Sequence, residues 1–231
     1  MRIICVKWGD KYGPEWVYAL RNMVQRHLTI EHEFVCITDS PIDDVDCVPC
    51  ADGLPTWWAK IAMFEPDKFP GHNLYLDLDV VITDNIDGLV NYFHDHLRKC
   101  IETGTHSKVL ARDDFSYSLV NPKQGLGADM QRYLGGVGTV NSSVMLWRDN
   151  AGRDVWDKFK PEKMQEVHGD QNWVTQALWP DRLELLPNKW VCSYKYHVIR
   201  GEKVAPVIVF HGNPKVTDLS QRDPLRLAWA S

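Results

Sequence analysis

The chain has no surplus of positive charge: 26 Lys and Arg stand against 31 Asp and Glu, a formal net charge of -5. No basic field exists to draw nucleic acid, so no nucleic-acid partner is expected. No uninterrupted apolar stretch approaches the roughly 20 residues needed to cross a bilayer. The opening Met1-Arg2-Ile3-Ile4-Cys5-Val6 lacks the charged, apolar and small-residue zones of a signal peptide. These absences predict a cytoplasmic, soluble protein with no integral membrane segment, able to work beside a membrane enzyme. Cysteine is sparse, at 6 residues. Cys5 and Cys36 fall in apolar strand-like runs and read as core. Cys47-Val48-Pro49-Cys50 has no second Cys or His pair at zinc spacing, so it reads as two incidental thiols. Internal repeats, low-complexity segments and a clear linker are also missing.

What is present is ordinary for a globular domain: 44% hydrophobic and 25% charged residues over 231 positions. Arg2–Val6 reads as a strand. Pro14 stands where a helix begins, and Trp16, Val17, Leu20, Val24 and Leu28 recur at helical spacing. Phe34–Thr38 reads as the next strand, closed by Asp39-Ser40-Pro41. This β-α-β unit predicts a mostly parallel central sheet covered by helices. Further strands are expected near Val45–Val48, Asn73–Ile82, Lys108–Ala111, Thr139–Trp147, Leu183–Leu186 and Val207–Phe210. Helices are expected at Trp57–Phe64, Asp154–Met164 and Asp170–Leu178. The polar, Gly-rich stretch Arg112–Gly138 reads as a long binding loop or lid.

The segment Leu74-Tyr75-Leu76-Asp77-Leu78-Asp79-Val80-Val81-Ile82 places two acids in an apolar run of the kind found in central strands. Residues i and i+2 of a strand share a face, which sets the carboxylates roughly 6–7 Å apart. At an effective dielectric near 20 their repulsion is about 2–3 kcal/mol, before desolvation is counted. Such a pair calls for a cation, and hard carboxylate oxygens suit Mg²⁺ or Mn²⁺. The bland alternative is a strand end whose acids bond to backbone N–H groups. Asp43-Asp44-Val45-Asp46 reads as a solvated turn, Asp113-Asp114 as a strand end near the site, and His94-Asp95-His96 as an exposed helix face. Most of the 10 tryptophans read as packing residues, among them Trp16, Trp147 and Trp156. Trp57 and Trp58 are candidates to line the site.

In its ordered motifs the chain resembles the GT-A-fold glycosyltransferases, especially retaining family 8, the glycogenin and bacterial lipopolysaccharide galactosyltransferase type. Asp77-Leu78-Asp79 looks like the family's DxD metal motif. Thr56-Trp57-Trp58-Ala59-Lys60-Ile61 resembles the helix whose basic residue, here Lys60, contacts the donor. Val6 to Tyr12, with Trp8, Gly9, Asp10 and Tyr12, occupies the nucleotide-binding position. Val140-Asn141-Ser142-Ser143 resembles the Asn-Ser-Gly strand, with Ser143 in place of the usual Gly. Gly169-Asp170-Gln171 resembles the Asp-Gln pair beside the anomeric carbon, and Val209-Phe210-His211-Gly212-Asn213-Pro214-Lys215 the C-terminal His…Gly…Lys motif. The His211-to-Lys215 spacing is shorter than in glycogenin, and no Pro-Trp follows.

The resemblance implies a single GT-A (Rossmann-like) α/β domain over 1–231. Residues 1–110 would form the nucleotide-binding part and 111–231 the acceptor side. It implies a metal-dependent transferase moving a hexose from a UDP-sugar to a glycan, lipid-linked or protein acceptor with retention. Mn²⁺ or Mg²⁺ would sit on Asp77, Asp79 and His211. Trp8, Gly9, Asp10, Tyr12, Lys60, Asp77, Leu78, Asp79, Asn141, Ser142, Gly212 and Lys215 would bind the nucleotide-sugar, and Asp170 and Gln171 would serve catalysis. A carboxylate nucleophile or base, Asp170 or Asp114, is the alternative chemistry. Two other functions compete. One is a haloacid-dehalogenase-type phosphatase using Asp77 as nucleophile, although here a full β-α-β unit precedes the acid pair. The other is a non-catalytic sugar-nucleotide-binding protein.

Overall fold

The structure, a computed structural model, describes residues 1–113, 140–202 and 204–231. Among these the strands are β1 (Arg2–Lys7), β2 (Glu33–Thr38), β3 (Asp46–Pro49), β4 (His72–Leu76), β5 (Val80–Ile82), β6 (Val109–Asp113), β7 (Val140–Arg148), β8 (Leu183–Leu185), β9 (Val191–Ser193) and β10 (Val207–Val209). The longer helices are α1 (Pro14–His27), α2 (Asp87–Thr103), α3 (Asp170–Leu178) and α4 (Pro224–Ala230), with a 3₁₀ helix at Thr56–Phe64. Asp114 and nearly all of the expected loop Arg112–Gly138 lie outside the described residues.

The main sheet has the order β3-β2-β1-β4-β7-β6-β8. β1 pairs in parallel with β2 and β4, β2 with β3, and β6 with β8, while β7 runs antiparallel to both β4 and β6. The mostly parallel α/β sheet expected from the β-α-β pattern is thus the one observed. The side-chain alternation of a strand divides the core between the two faces. Ile3 and Cys5 of β1 join α1, α2 and the small sheet on one side, and Ile4 joins the 3₁₀ helix and α3 on the other. No described helix is long and apolar enough to cross a membrane.

One reversal of direction positions the site. Because β7 runs against β4, the start of β7 lies beside the end of β4, with Leu76 opposite Val144. The Asp77 N–H donates to the Ser143 carbonyl at 2.9 Å, so the acid motif and the Asn141-Ser142-Ser143 segment share one sheet edge. After Leu76 the chain leaves the main sheet and joins a second one, of order β5-β10-β9.

Several expectations change. Asn73–Ile82 is not one strand: it breaks at Asp77-Leu78-Asp79, which forms a turn between β4 and β5. The expected helix Asp154–Met164 is two helical turns, Asp154–Asp157 and Lys163–Glu166. Pro161 between them lacks the backbone N–H a continuous helix needs and disfavours helical geometry at Lys160. The 17-residue α2 was legible only as a helix face, and that face is not all exposed: His96 is buried beside Cys100 and Glu184. Buried Leu89, Val90, Phe93, Leu97 and Cys100 give α2 its helical spacing, and Gly104 ends it in the left-handed conformation. The cysteines are all free thiols, with Cys5 and Cys36 in the core as expected. Trp16 and Trp147 are buried, and Asp43, Asp44 and Asp46 are exposed.

Two consequences are measurable. A Cβ at Gly152 would come within 2.3 Å of the Phe64 ring, itself buried against Trp147. Gly152→Ala should therefore destabilise the protein by about 1–3 kcal/mol in urea unfolding. His72 Nδ1 and His94 Nε2 approach to 3.1 Å. Burial, then positive neighbours (His94, Arg148 and the N-terminus for His72), hold both pKa values below the usual histidine value. A lowered histidine binds fewer protons folded than unfolded, so stability should fall as pH drops from about 6.5 and level off below the folded pKa. His94→Gln should flatten that part of the stability–pH curve.

Candidate functional site

A cavity of about 280 Å³ opens at the C-terminal edge of the main sheet. It is lined by Val6, Trp8, Asp10, Lys11 and Tyr12 from the end of β1, Thr56, Trp57 and Lys60 from the 3₁₀ helix, and Tyr75 to Asp79 less Leu76 from the end of β4. Open α/β sheets place ligands at this carboxyl edge. Gly9 makes the turn after β1: it sits at φ +63°, donates its N–H to Asp39 at 2.7 Å and accepts from the Lys7 ammonium at 2.9 Å. Left-handed backbone is cheap for glycine, and here it leaves Trp8 38% exposed at the cavity mouth.

The floor holds an alternation of acids and cations. Lys60 Nζ lies 2.8 Å from Asp77 Oδ1 and 3.2 Å from Asp170 Oδ2. The Ser142 hydroxyl donates to Asp170 at 2.6 Å and accepts from Lys60 at 3.3 Å. Tyr75 donates its phenol to Asp77 at 2.5 Å. On the other wall, Lys215 donates to the Asp79 carboxylate and, at 2.9 Å, to the Phe210 carbonyl. The Tyr12 phenol donates to Asp79 at 3.2 Å.

These contacts divide the two acids electrically. Burial disfavours the charge of Asp77, but Lys60, Tyr75 and Ser143 outweigh it and hold its carboxyl below the usual range. Asp79 goes the other way: burial and the charge of Asp77 raise it despite Lys215. Burial works against the Lys60 ammonium too, and Asp170 and Asp77 more than offset it. Burial pushes both phenols up, helped by Asp79 and Asp77 at Tyr12 and by Asp77 and Asp170 at Tyr75, so both remain donors. Three carboxylates thus share two ammonium groups: Lys60 serves Asp77 and Asp170, and Lys215 serves Asp79.

That imbalance is the test of whether a divalent cation fits. Two hard carboxylates beside a roomy cavity, in a cluster with one more carboxylate than ammonium groups, are a donor set for Mg²⁺ or Mn²⁺. The third ligand is not assembled. Among the described residues no three His, Cys, Asp or Glu are grouped to hold a metal. His211 instead approaches the Ser193 hydroxyl at 2.7 Å and stacks on Tyr196 at 5.3 Å. The Phe210 N–H bonds the Asp79 carbonyl at 3.0 Å, which brings the chain before His211 alongside. The Lys215 ammonium takes the position against Asp79 on that wall.

The structure gathers Trp8, Asp10, Tyr12, Lys60, Asp77, Leu78, Asp79, Ser142, Asp170 and Lys215 at this edge. Leu78 turns its side chain into the core, leaving its backbone to the cavity. Asn141 uses its Oδ1 to accept from the Ser143 N–H at 3.0 Å. Gln171 follows Asp170 in the first turn of α3, and Gly212 is exposed at φ +69°. Trp57 lines the cavity and Trp58 is buried. Sequence reasoning missed Tyr75. Its signal was the same period-two alternation that picks out the acids, since Tyr75 stands two residues before Asp77.

No protein-family model matches the sequence, and no curated protein matches it. Solved structures do match. The galactosyltransferase LgtC, solved with donor and acceptor sugar analogs, is 16% identical with a TM-score of 0.58, over 94% of this chain and 89% of that one. The glycosyltransferase GlyE of Streptococcus pneumoniae is 15% identical with a TM-score of 0.62, over 99% of this chain and 60% of GlyE. Mouse xyloside xylosyltransferase 1 is 15% identical with a TM-score of 0.56, over 92% of this chain and 97% of that one. The chain has the GT-A glycosyltransferase fold.

Lys60 compensates two buried carboxylates at once. Lys60→Met should cost about 3–5 kcal/mol in urea unfolding, because both acids are left without their shared cation. A loss below 1 kcal/mol would show that water already screens them.

Proposed function

We propose that the protein is a metal-dependent glycosyltransferase that moves a hexose from a nucleotide-diphosphate sugar, a UDP-sugar by resemblance, to an acceptor. The observation that carries this reading is the acid pair Asp77 and Asp79, in a cluster of three carboxylates on two ammonium groups, at the carboxyl edge of a GT-A sheet. The fold it shares with LgtC, GlyE and the xylosyltransferase, all transferases by name, supports it. The acid pair follows β4, behind a complete β-α-β unit, which favours this reading over a phosphatase with Asp77 as nucleophile. The full charge network argues against a merely binding remnant.

Transfer breaks the bond between the anomeric carbon and the diphosphate. Positive charge grows on the sugar and negative charge on the leaving group. A divalent cation on Asp77 and Asp79 would supply Lewis-acid stabilisation to that leaving group. The rest falls to the chain. Trp8, Gly9, Asp10 and Tyr12 form the wall for the nucleoside. Lys60 keeps Asp77 charged and fixes Asp170. Lys215 reaches the same space on a flexible stem and supplies positive charge for a phosphate oxygen. Asp170 has Oδ2 engaged by Ser142 and Lys60, which suits holding sugar hydroxyls better than acting as a nucleophile. Gln171, next along α3, is assigned to the anomeric centre. Attack from the leaving-group face, with retention, fits a site whose acids all have such engagements. His211, whose Nε2 meets the Ser193 hydroxyl, would be the third ligand by resemblance.

Incubation with Mn²⁺ and UDP-sugars should release UDP slowly by transfer to water, and Asp79→Ala should abolish the release by more than about a hundredfold. Release that is metal-independent, or unaffected in Asp79→Ala, would exclude the proposed role.

A further inference from the structure

The motif Cys47-Val48-Pro49-Cys50 suggests a pair of neighbouring thiols, and the structure takes that pair apart. Cys47 belongs to β3 and packs with the core on the α1 and α2 side of the sheet, whereas Val48 and Cys50 pack with the core on the other side. Positions i and i+3 of an extended chain face opposite ways, so these two side chains diverge. Cys47 has a different neighbour. In the parallel register of β2 and β3 it stands opposite Cys36, and in that of β1 and β2 Cys36 stands opposite Cys5. All three join the same side of the core, and all three are free thiols. They form one row across three adjacent strands.

The row is graded from inside to outside. Cys5 and Cys36 are fully buried, while Cys47 is half-buried on the end strand of the sheet. Burial, then the neighbouring Cys36, pushes the Cys5 thiol well up, so it stays protonated. Burial also pushes the Cys50 thiol up, to about 11, which leaves it a poor nucleophile at neutral pH. Adjacent strands lie about 4.8 Å apart, inside the roughly 4.4–6.8 Å Cα separation of a disulfide. Disulfide Cβ atoms sit nearer, at about 3.8 Å, so closing a bond draws one strand in by about 1 Å. Among the described residues β3 pairs with β2 alone and is able to move, whereas β1 is held between β2 and β4.

We propose that Cys47 and Cys36 are a thiol–disulfide exchange site, which a small disulfide of the glutathione class oxidises to a reversible cross-strand bond. Cys47 is the entry, because it is the row's accessible thiol. Its thiolate attacks one sulfur of the small disulfide, whose S–S bond breaks, and one small thiol leaves with the proton that Cys47 gave up. Cys36 then attacks the Cys47 sulfur. The mixed disulfide breaks, and the second small thiol leaves with the Cys36 proton. Two electrons pass from the two cysteines to the small disulfide, and an excess of the reduced small thiol runs both steps backwards. The new bond ties the end strand to β2, which leads directly into Asp39, the acceptor of the Gly9 N–H beside the cavity.

The test incubates the reduced full chain with oxidised glutathione, blocks the remaining thiols, and maps the cross-links by mass spectrometry. Cleavage at Asp39, Asp43, Asp44 and Asp46 separates Cys36 from Cys47 but leaves Cys47 and Cys50 on one peptide. We expect a cross-link that joins the two peptides and is reversed by reduced glutathione. It should be lost in Cys47→Ser and kept in Cys50→Ser. Cys36→Ala should stop at a glutathione adduct on Cys47. The cross-linking rate should not rise in urea below the unfolding transition, because the reaction belongs to the folded chain. A cross-link within the Cys47–Cys50 peptide, survival of the joined peptides in Cys47→Ser, or no cross-link at all overturns the proposal. So does a rate that climbs with dilute urea, which would place the reaction in the unfolded chain.

Discussion

Three carboxylates are kept together at one sheet edge, and the surrounding architecture is arranged around their charge. Asp77, Asp79 and Asp170 come from two places in the chain, and Lys60 and Lys215 come from two more. Each ammonium group bridges elements that share no local sequence. The 3₁₀ helix is tied through Lys60 to the end of β4 and the start of α3. The C-terminal segment is tied through Lys215 to the turn before β5. A buried ion pair of this kind is weak evidence for stability, since apolar residues would fill the space at no greater cost. Its place on the floor of a cavity is better explained by a ligand that needs the charges there.

The reversed strand makes this convergence possible. In an all-parallel sheet the start of β7 would lie at the far end from Asp77. Running antiparallel, β7 delivers Ser142 to Asp170 and Lys60, and its Ser143 carbonyl holds the Asp77 backbone. The second sheet completes the arrangement: β5 leads away from Asp79 and β10 returns at Phe210, one residue before His211.

Much of the fold was legible in the sequence because it is written in local periodicity. Arg2–Val6, the helix begun by Pro14, and Phe34–Thr38 all reappear within a residue of their expected ends. What failed was non-local. The apolar run around Asp77 looked like one strand, since nothing local says that the chain changes sheets there. The acids proved to occupy the connecting turn, so their pairing with two separate lysines replaces the same-face geometry. Among site residues, Lys60, Ser142 and Asp170 came from ordered motifs and do meet. Asn141 and His211 came from the same motifs, yet their side chains turn to Ser143 and Ser193. A motif fixes the backbone position, whereas a rotamer answers to the partners the fold brings to it; at Asp79 that partner is Lys215.

The central claim is that Asp77 and Asp79 take up a divalent cation together with a nucleoside diphosphate. Thermal unfolding of the full chain with UDP or GDP, each with and without Mn²⁺, tests it most directly, because any ligand of the folded state raises the unfolding temperature. The account predicts stabilisation by UDP that depends on Mn²⁺ and disappears in Asp79→Ala. An unfolding temperature that no nucleoside diphosphate moves, with or without the metal, would contradict it.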